Sequence, residues 1–267
     1  MHLSEIWIYP VKSLGGIRLK ESEVEARGLK YDRRWMVVDE KGVFLTQRTN
    51  PKMALIDVAI TDKGLLLSTR LEAENQVLVP FQGILSRAIE VKIWDDWVWA
   101  HTISTDADAW LTAQLGKNVH IVGMSGSSSR KMNVTDSQHG DEVSFADDFP
   151  YLLISEASLA DLNSRLPQPV SMRRFRPNFV VSDVPAFAED SWNYITIGDV
   201  RFEVARPCER CVLINIDPKT ALKETEPLKT LAAYRKQDRK ILFGQNLVGL
   251  QNGTVREGDK IHILLIS

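Results

Sequence analysis

The segment Trp35-Met36-Val37-Val38-Asp39-Glu40-Lys41-Gly42-Val43-Phe44-Leu45 sets two short apolar runs on either side of a charged turn that ends in glycine. Each run is shorter than a helix needs and rich in β-branched or aromatic side chains, so the segment predicts a β-hairpin turning at Lys41-Gly42. The same pattern recurs outward from it. Glu5-Ile6-Trp7-Ile8-Tyr9 reads as a strand, and further strands are expected at 53–60, 64–69, 76–79, 89–94 and 97–101. Val91-Lys92-Ile93-Trp94 and Trp97-Val98-Trp99 flank Asp95-Asp96, which predicts a second hairpin with aromatic cross-strand pairs and reads Trp94, Trp97 and Trp99 as packing residues. Beyond the middle, strands are expected at 151–154, 178–182, 195–205, 211–217 and 261–266, with Gly198-Asp199 splitting the third into a hairpin.

Three helices interrupt this pattern. Thr105-Asp106-Ala107-Asp108 resembles a capping box with Asp in place of Glu, followed by the stripe Ala107, Trp110, Leu111, Leu115 and a stop at Gly116. Ser155 can cap a helix that presents Leu159, Leu162 and Leu166 and ends at Pro167, and Pro227 can open a third with Leu228 and Leu231. Many short strands, few helices and no regular strand-helix alternation predict an α+β, mostly β architecture of barrel type. At 267 residues the chain has room for two domains. The break Gly123-Met124-Ser125-Gly126-Ser127-Ser128-Ser129 is too polar to bury; it reads either as a boundary, dividing the chain into 1–120 and 121–267, or as a loop over a site.

Thirty-three Lys and Arg against 35 Asp and Glu leave a formal charge of −2, which gives no global attraction to nucleic acid or anionic lipid, so any anion site must be local. No apolar run approaches the roughly 20 residues that cross a bilayer, and Met1-His2-Leu3-Ser4-Glu5 has no leader-like character; a cytoplasmic protein without a membrane partner is the expectation.

The two cysteines fall in Arg206-Pro207-Cys208-Glu209-Arg210-Cys211, where a strand is expected to leave a proline-stiffened turn and the arginines to favour thiolate. Four readings stand open: structural zinc, which lacks partner histidines at finger spacing; a thioredoxin-type dithiol, which wants a helix start after the pair; two inert buried thiols; and one thiolate holding a cofactor metal. Cations gather at expected strand ends: Lys12-Ser13, Asp32-Arg33-Arg34-Trp35, Arg48, and Arg173-Arg174-Phe175-Arg176-Pro177-Asn178. Guanidinium and ammonium groups so placed suit a phosphate, although no P-loop, GxGxxG or GxSxG is present.

Taken together, Ile6-Trp7-Ile8-Tyr9-Pro10-Val11-Lys12-Ser13, Asp32-Arg33-Arg34-Trp35, Leu153-Ile154-Ser155-Glu156-Ala157-Ser158-Leu159-Ala160-Asp161-Leu162-Asn163, Phe175-Arg176-Pro177-Asn178, the cysteine segment, Pro227-Leu228-Lys229-Thr230-Leu231 and Phe243-Gly244-Gln245-Asn246 resemble MOSC-domain proteins with a MOSC N-terminal β-barrel domain. Among these are the amidoxime-reducing components and the bacterial iron-sulfur proteins that reduce N-hydroxylated bases. The resemblance implies a MOSC β-barrel packed with an N-terminal β-rich domain, and a molybdenum cofactor whose metal is bound by Cys211, with Cys208 a bystander. It implies that Cys211 and Asp147 serve catalysis, that Lys12, Ser13, Arg33, Arg176 and Asn178 hold the pterin and its phosphate, and that Asp148, Phe149, Glu209, Arg210 and Asn246 line the same pocket. Arg48 and Arg174 are added on charge and position. The implied reaction is reduction of N-hydroxylated compounds such as hydroxylamino purines or amidoximes, N–OH becoming N–H. A carrier of the cofactor or of activated sulfur is the rival, and at the level of the domain there is an association with pyridoxal phosphate. The chain lacks the C-x4-C-x2-C cysteines of the ferredoxin domain in the longer relatives. No iron-sulfur cluster is therefore expected in it, and electrons are expected from a separate donor of ferredoxin or flavoprotein type.

Overall fold

A computed structural model describes residues 1–81, 87–126, 128–132 and 142–264. Its largest sheet runs in the order β19 (Ile261–Leu264), β14 (Tyr194–Ile197), β15 (Val200–Glu209), β17 (Lys240–Gly249), β12 (Tyr151–Ser155), β13 (Phe179–Ser182), β1 (His2–Ile8) and β2 (Ile17–Leu19), with β16 (Lys236–Gln237) paired to β17. Every neighbouring pair is antiparallel except β12 with β13. Leu3 N donates to Asp259 O (2.9 Å) and Gly258 N to Leu3 O (2.7 Å), and His2 bridges Lys260, so the first strand meets the residues that enter the last one and the sheet curls shut.

The barrel interior is filled by Leu3, Ile6, Ile8, Leu153, Val181, Ile195, Leu247 and the aromatic trio Tyr151, Phe179 and Phe202, whose ring centroids lie 5.4 to 5.6 Å apart. All five residues of β12 are buried, because its alternate side chains serve two cores: Tyr151 and Leu153 face the interior, while Leu152 and Ile154 pack with Leu162, Phe175 and Phe243. α2 (Glu156–Arg165) covers that outer face, capped by the Ser155 hydroxyl as expected and ending one residue before Leu166. α3 (Leu228–Tyr234) follows Pro227. β17 crosses β12 at Gly244, whose φ of +81° is left-handed and whose Cβ, were there one, would lie 2.8 Å from Leu153 O.

Two smaller sheets build the other side: β5 (Trp35–Asp39), β11 (Val119–Gly123), β10 (Asp96–Thr102) and β9 (Ala88–Ile93) in that order, and β6 (Ile56–Ile60), β7 (Gly64–Thr69) and β8 (Gln76–Pro80). α1 (Thr105–Leu115) contributes Ala107 and Leu111 to the core beneath them. β18 (Gly253–Arg256) pairs with β3 (Glu21–Glu25), which pairs with β4 (Gly28–Leu29). Among the described residues the architecture is thus mostly strand with three helices, as the sequence implies.

Several local expectations are corrected. β5 turns at Gly42 as expected, but its return arm makes two isolated bridges, Phe44 to Val38 and Val43 to Lys92, rather than a full strand. The 53–60 strand begins as a 3-10 turn at Pro51–Leu55. α1 is capped by Ser104 rather than Thr105. The 211–217 strand is a 3-10 turn at Val212–Asn215, and Arg206 to Glu209 lie within β15 rather than in a turn before a strand. The β9–β10 hairpin pairs Trp97 with Lys92 and Trp99 with Glu90, so no aromatic cross-strand pairs form, and Trp94, Trp97 and Trp99 are exposed rather than packed. Part of the 123–129 stretch is buried after all: Ser128 donates to Trp99 O (2.6 Å). Ser127, and residues 265 and 266 of the expected last strand, lie outside the described residues. β1 and β2 join the sheet of the second half and β3 pairs with β18, so strand pairings run between residues 1–120 and 121–267.

Candidate functional site

Where β1 ends, the chain passes through Tyr9 and Pro10 into Lys12 and Ser13 beside the incoming end of β5, and Lys12 N donates to Trp35 O (2.8 Å). Three residues around this junction adopt left-handed backbone: Ser13 (φ +68°), Arg33 (+50°) and Arg176 (+56°). Such conformations cost free energy in non-glycine residues and persist where the surroundings impose them. Here they bring two guanidiniums onto the buried Tyr9 ring, Arg33 at 4.4 Å and Arg176 at 4.1 Å from its centroid. Arg33 is further fixed by Asp32 (2.5 Å), by Asn178 Oδ1 (3.3 Å) and by Arg176 O (3.1 Å). Arg176 donates to Leu14 O (2.7 Å) through Nη1, but its Nη2 is buried without a partner. Burial beside Arg33 pushes the Arg176 guanidinium down to about 10, and burial pushes the Tyr9 phenol up to about 12. The result is a rigid, cationic recess with a donor left unused.

The other end of the same cleft holds the thiols. Cys211 opens the 3-10 turn at Val212–Asn215, and Arg48 donates through Nε to its Sγ (3.2 Å) and through Nη2 to Asp147 Oδ2 (3.0 Å). Asp147 also pairs with Lys12, whose Nζ donates to Phe145 O (2.7 Å) as well. Desolvation in the cleft opposes ionisation of Asp147, yet Lys12 and Arg48 together hold its carboxyl well below the usual carboxylate range. Burial lowers the Lys12 ammonium as well, to about 8, against the pull of Asp147. The cleft encloses about 370 Å³ between these two ends.

The N-terminal 118 residues match the MOSC N-terminal beta barrel domain, and residues 140–262 match the MOSC domain. The chain is 35% identical over 281 aligned residues to the mitochondrial amidoxime-reducing component 1 of Mus musculus, an alignment covering 98% of this chain and 82% of that protein. The chain belongs to the MOSC-domain family. It is 34% identical to the human mitochondrial amidoxime-reducing component 1, again over 98% and 82% of the two chains. It is also 34% identical to the molybdenum cofactor sulfurase of Oryza sativa subsp. japonica over 91% of this chain, but over 32% of that longer protein.

In this MOSC protein, Lys12, Ser13, Arg33, Arg48, Asp147, Asp148, Phe149, Arg176, Asn178, Glu209, Arg210, Cys211 and Asn246 all line one cleft. Arg174 does not. It is buried elsewhere and donates to Asp217 (2.8 Å) and Glu224 (2.7 Å), so its charge is spent on pinning a loop, and the expectation drawn from the cluster of arginines is corrected. The expectation that Arg206 and Arg210 favour thiolate holds for Arg210 on Cys208, where burial outweighs it. Arg206 lies over the Phe149 ring and near Asp148 (3.5 Å), and although Arg210 donates to Cys208 Sγ (3.1 Å), burial pushes the Cys208 thiol up. The cation on Cys211 comes instead from Arg48, distant in sequence. Asn178 has its amide engaged by Arg33, Leu152 N and Trp7 O, three of the four hydrogen bonds it can make, so it buttresses the recess. Sequence reasoning missed Trp94 in the lining and Tyr9 beneath it. The turn dipeptide Asp95-Asp96 beside Trp94 is the signal that could have placed that indole at an open end rather than in a core.

Proposed function

We propose that the cleft binds a molybdenum cofactor and that the protein reduces N-hydroxylated compounds, amidoximes or hydroxylamino purines, with electrons from a separate ferredoxin- or flavoprotein-type donor. The observation that carries this reading is the placing of the Cys211 thiol and an incompletely satisfied cationic recess in a single cleft. Among the described residues no group of three or more His, Cys, Asp or Glu could hold a metal ion. A metal held here by Cys211 must therefore bring ligands of its own, and sulfur ligands match a soft thiolate. The unpartnered Nη2 of Arg176, with Arg33, Lys12 and Ser13, suits the phosphate of a pterin tail. The residues present thus fit the group.

When bound, the cofactor supplies the electron pair that cleaves the N–O bond, two protons being taken up and water leaving. The chain's own residues bind and orient. Arg48 sets the thiol and presents a fixed positive charge beside it. Asp147, ionised at neutral pH, holds Lys12 and Arg48 in register rather than supplying a proton. The likeness to a molybdenum cofactor sulfurase favours a second reading, a carrier of the cofactor or of activated sulfur without turnover.

Protein made in a cofactor-competent host is expected to contain molybdenum by elemental analysis and to reduce an amidoxime when given a low-potential donor. Cys211→Ser is expected to lose both, and Cys208→Ser to keep both. An absence of molybdenum would sink the cofactor reading, and retained molybdenum without turnover would favour the carrier.

A further inference from the structure

Trp94 sits in the turn between β9 and β10 with φ +54°, an uncommon backbone state for a bulky residue, and 39% of its surface is exposed. It is held from three sides. The Arg48 guanidinium lies 4.7 Å from the ring centroid, Phe44 packs at 5.0 Å, and Nε1 donates to Asp147 Oδ1 (3.3 Å). Arg48 is the same residue that contacts Cys211, so one side chain links the thiol to the indole. Trp94 lines the main cleft and also an adjoining cavity of about 240 Å³ that shares Asp147 and Asp148 with it. The neighbouring Trp97 and Trp99 line neither cavity. Trp94 thus stands where the linings of the two cavities meet.

We infer that Trp94 is the specificity-determining residue of the cleft, the surface on which the flat, conjugated part of an N-hydroxylated substrate stacks. The inference rests on the reductase reading and narrows its substrate class to planar aromatic amidoximes and hydroxylamino heterocycles over aliphatic ones. An indole offers a π face to a conjugated ring and little beyond ordinary contact to a saturated chain.

The test compares benzamidoxime with acetamidoxime on molybdenum-loaded protein supplied with a chemical electron donor. Trp94→Ala is expected to raise KM for benzamidoxime about tenfold and that for acetamidoxime less than about twofold, a gap typical of a lost stacking contact. Trp94→Phe is expected to retain most of the discrimination, and Trp97→Ala to change neither value. Calorimetric titration with benzamidine and acetamidine reads the same split in Kd without turnover, and Trp94→Leu replaces the alanine variant if that variant loses molybdenum. Failure of the wild type to reduce either amidoxime would overturn the reductase reading, and the titration would then decide Trp94 alone. Equal effects on the aromatic and aliphatic ligands, or no effect on either, would overturn the assignment of Trp94 whatever the turnover.

Discussion

Lys12 is 5% exposed and shares the cleft with four guanidiniums, Arg33, Arg48, Arg176 and Arg210, to which it adds an ammonium whose charge burial disfavours. Burial lowers its ammonium from 10.5 to about 8 against the pull of Asp147. Below about 8 the cleft carries the lysine charge, and above it that charge is gone, so anion affinity falls as pH rises through this value. Sulfate, whose own charge is constant, is expected to bind several-fold, up to about tenfold, more weakly at about pH 10 than at about pH 7, while Lys12→Met binds weakly and evenly across the range. Calorimetry checks this, and a flat wild-type profile would place Lys12 outside the anion site. Folding is linked with a definite sign: between about 8 and 10.5 the unfolded chain holds the proton that the native state has released, so this group makes stability rise with pH there. Lys12 and the arginines of the recess were legible from their residue type at expected strand ends. Arg174 was misread for the same reason, since charge alone does not reveal that Asp217 and Glu224 claim it.

At the scale of elements, strand and helix positions were largely readable, and their edges less so. Ser104 and Thr105 are both competent caps, and which one serves depends on where the preceding β10 releases the chain. The Ser104 hydroxyl accepts from Ala107 N (3.4 Å), whereas Thr105 lies inside the helix and exposed. Ser104→Ala is therefore expected to cost about 1 kcal/mol in urea unfolding, and Thr105→Ala a few tenths. Equal losses would restore Thr105 as the cap. The misreading of 211–217 has a different cause. Val212, Leu213 and Ile214 have strand-like side chains, but the pairing of β15 with β17, broken at Val204/Arg206 and Pro207/Glu209, ends at Glu209, and the chain turns. The turn buries Ile214 against Phe175 and Phe243 and leaves Cys211 at the cleft, so tertiary packing overrides local propensity where the thiol is delivered.

For the molecule as a whole, barrel character was visible in the run of short strands, but pairings between distant segments were not, because nothing local in His2–Ile8 says that it will lie against Phe179–Ser182. That pairing joins β1 to the large sheet and brings Lys12 and Ser13 into one cleft with Asn178 and Arg176. A fragment of residues 121–267 would lack β1 and β3, leaving β13 and β18 as unpaired edges and the barrel interior open. It is expected to be aggregated or molten by near-ultraviolet circular dichroism, and to gain native signal when mixed with residues 1–120. An independently folded fragment would contradict the shared-sheet account. Gly244 shows how far such dependence reaches. It is not among the residues that line the cleft, yet it lets β17 lie close enough to β12 for Asn246, two positions on, to form part of the wall. One added methyl would wedge those strands apart, so a substitution that a survey of the lining would score as harmless can silence the protein by distorting the container rather than by removing anything it holds.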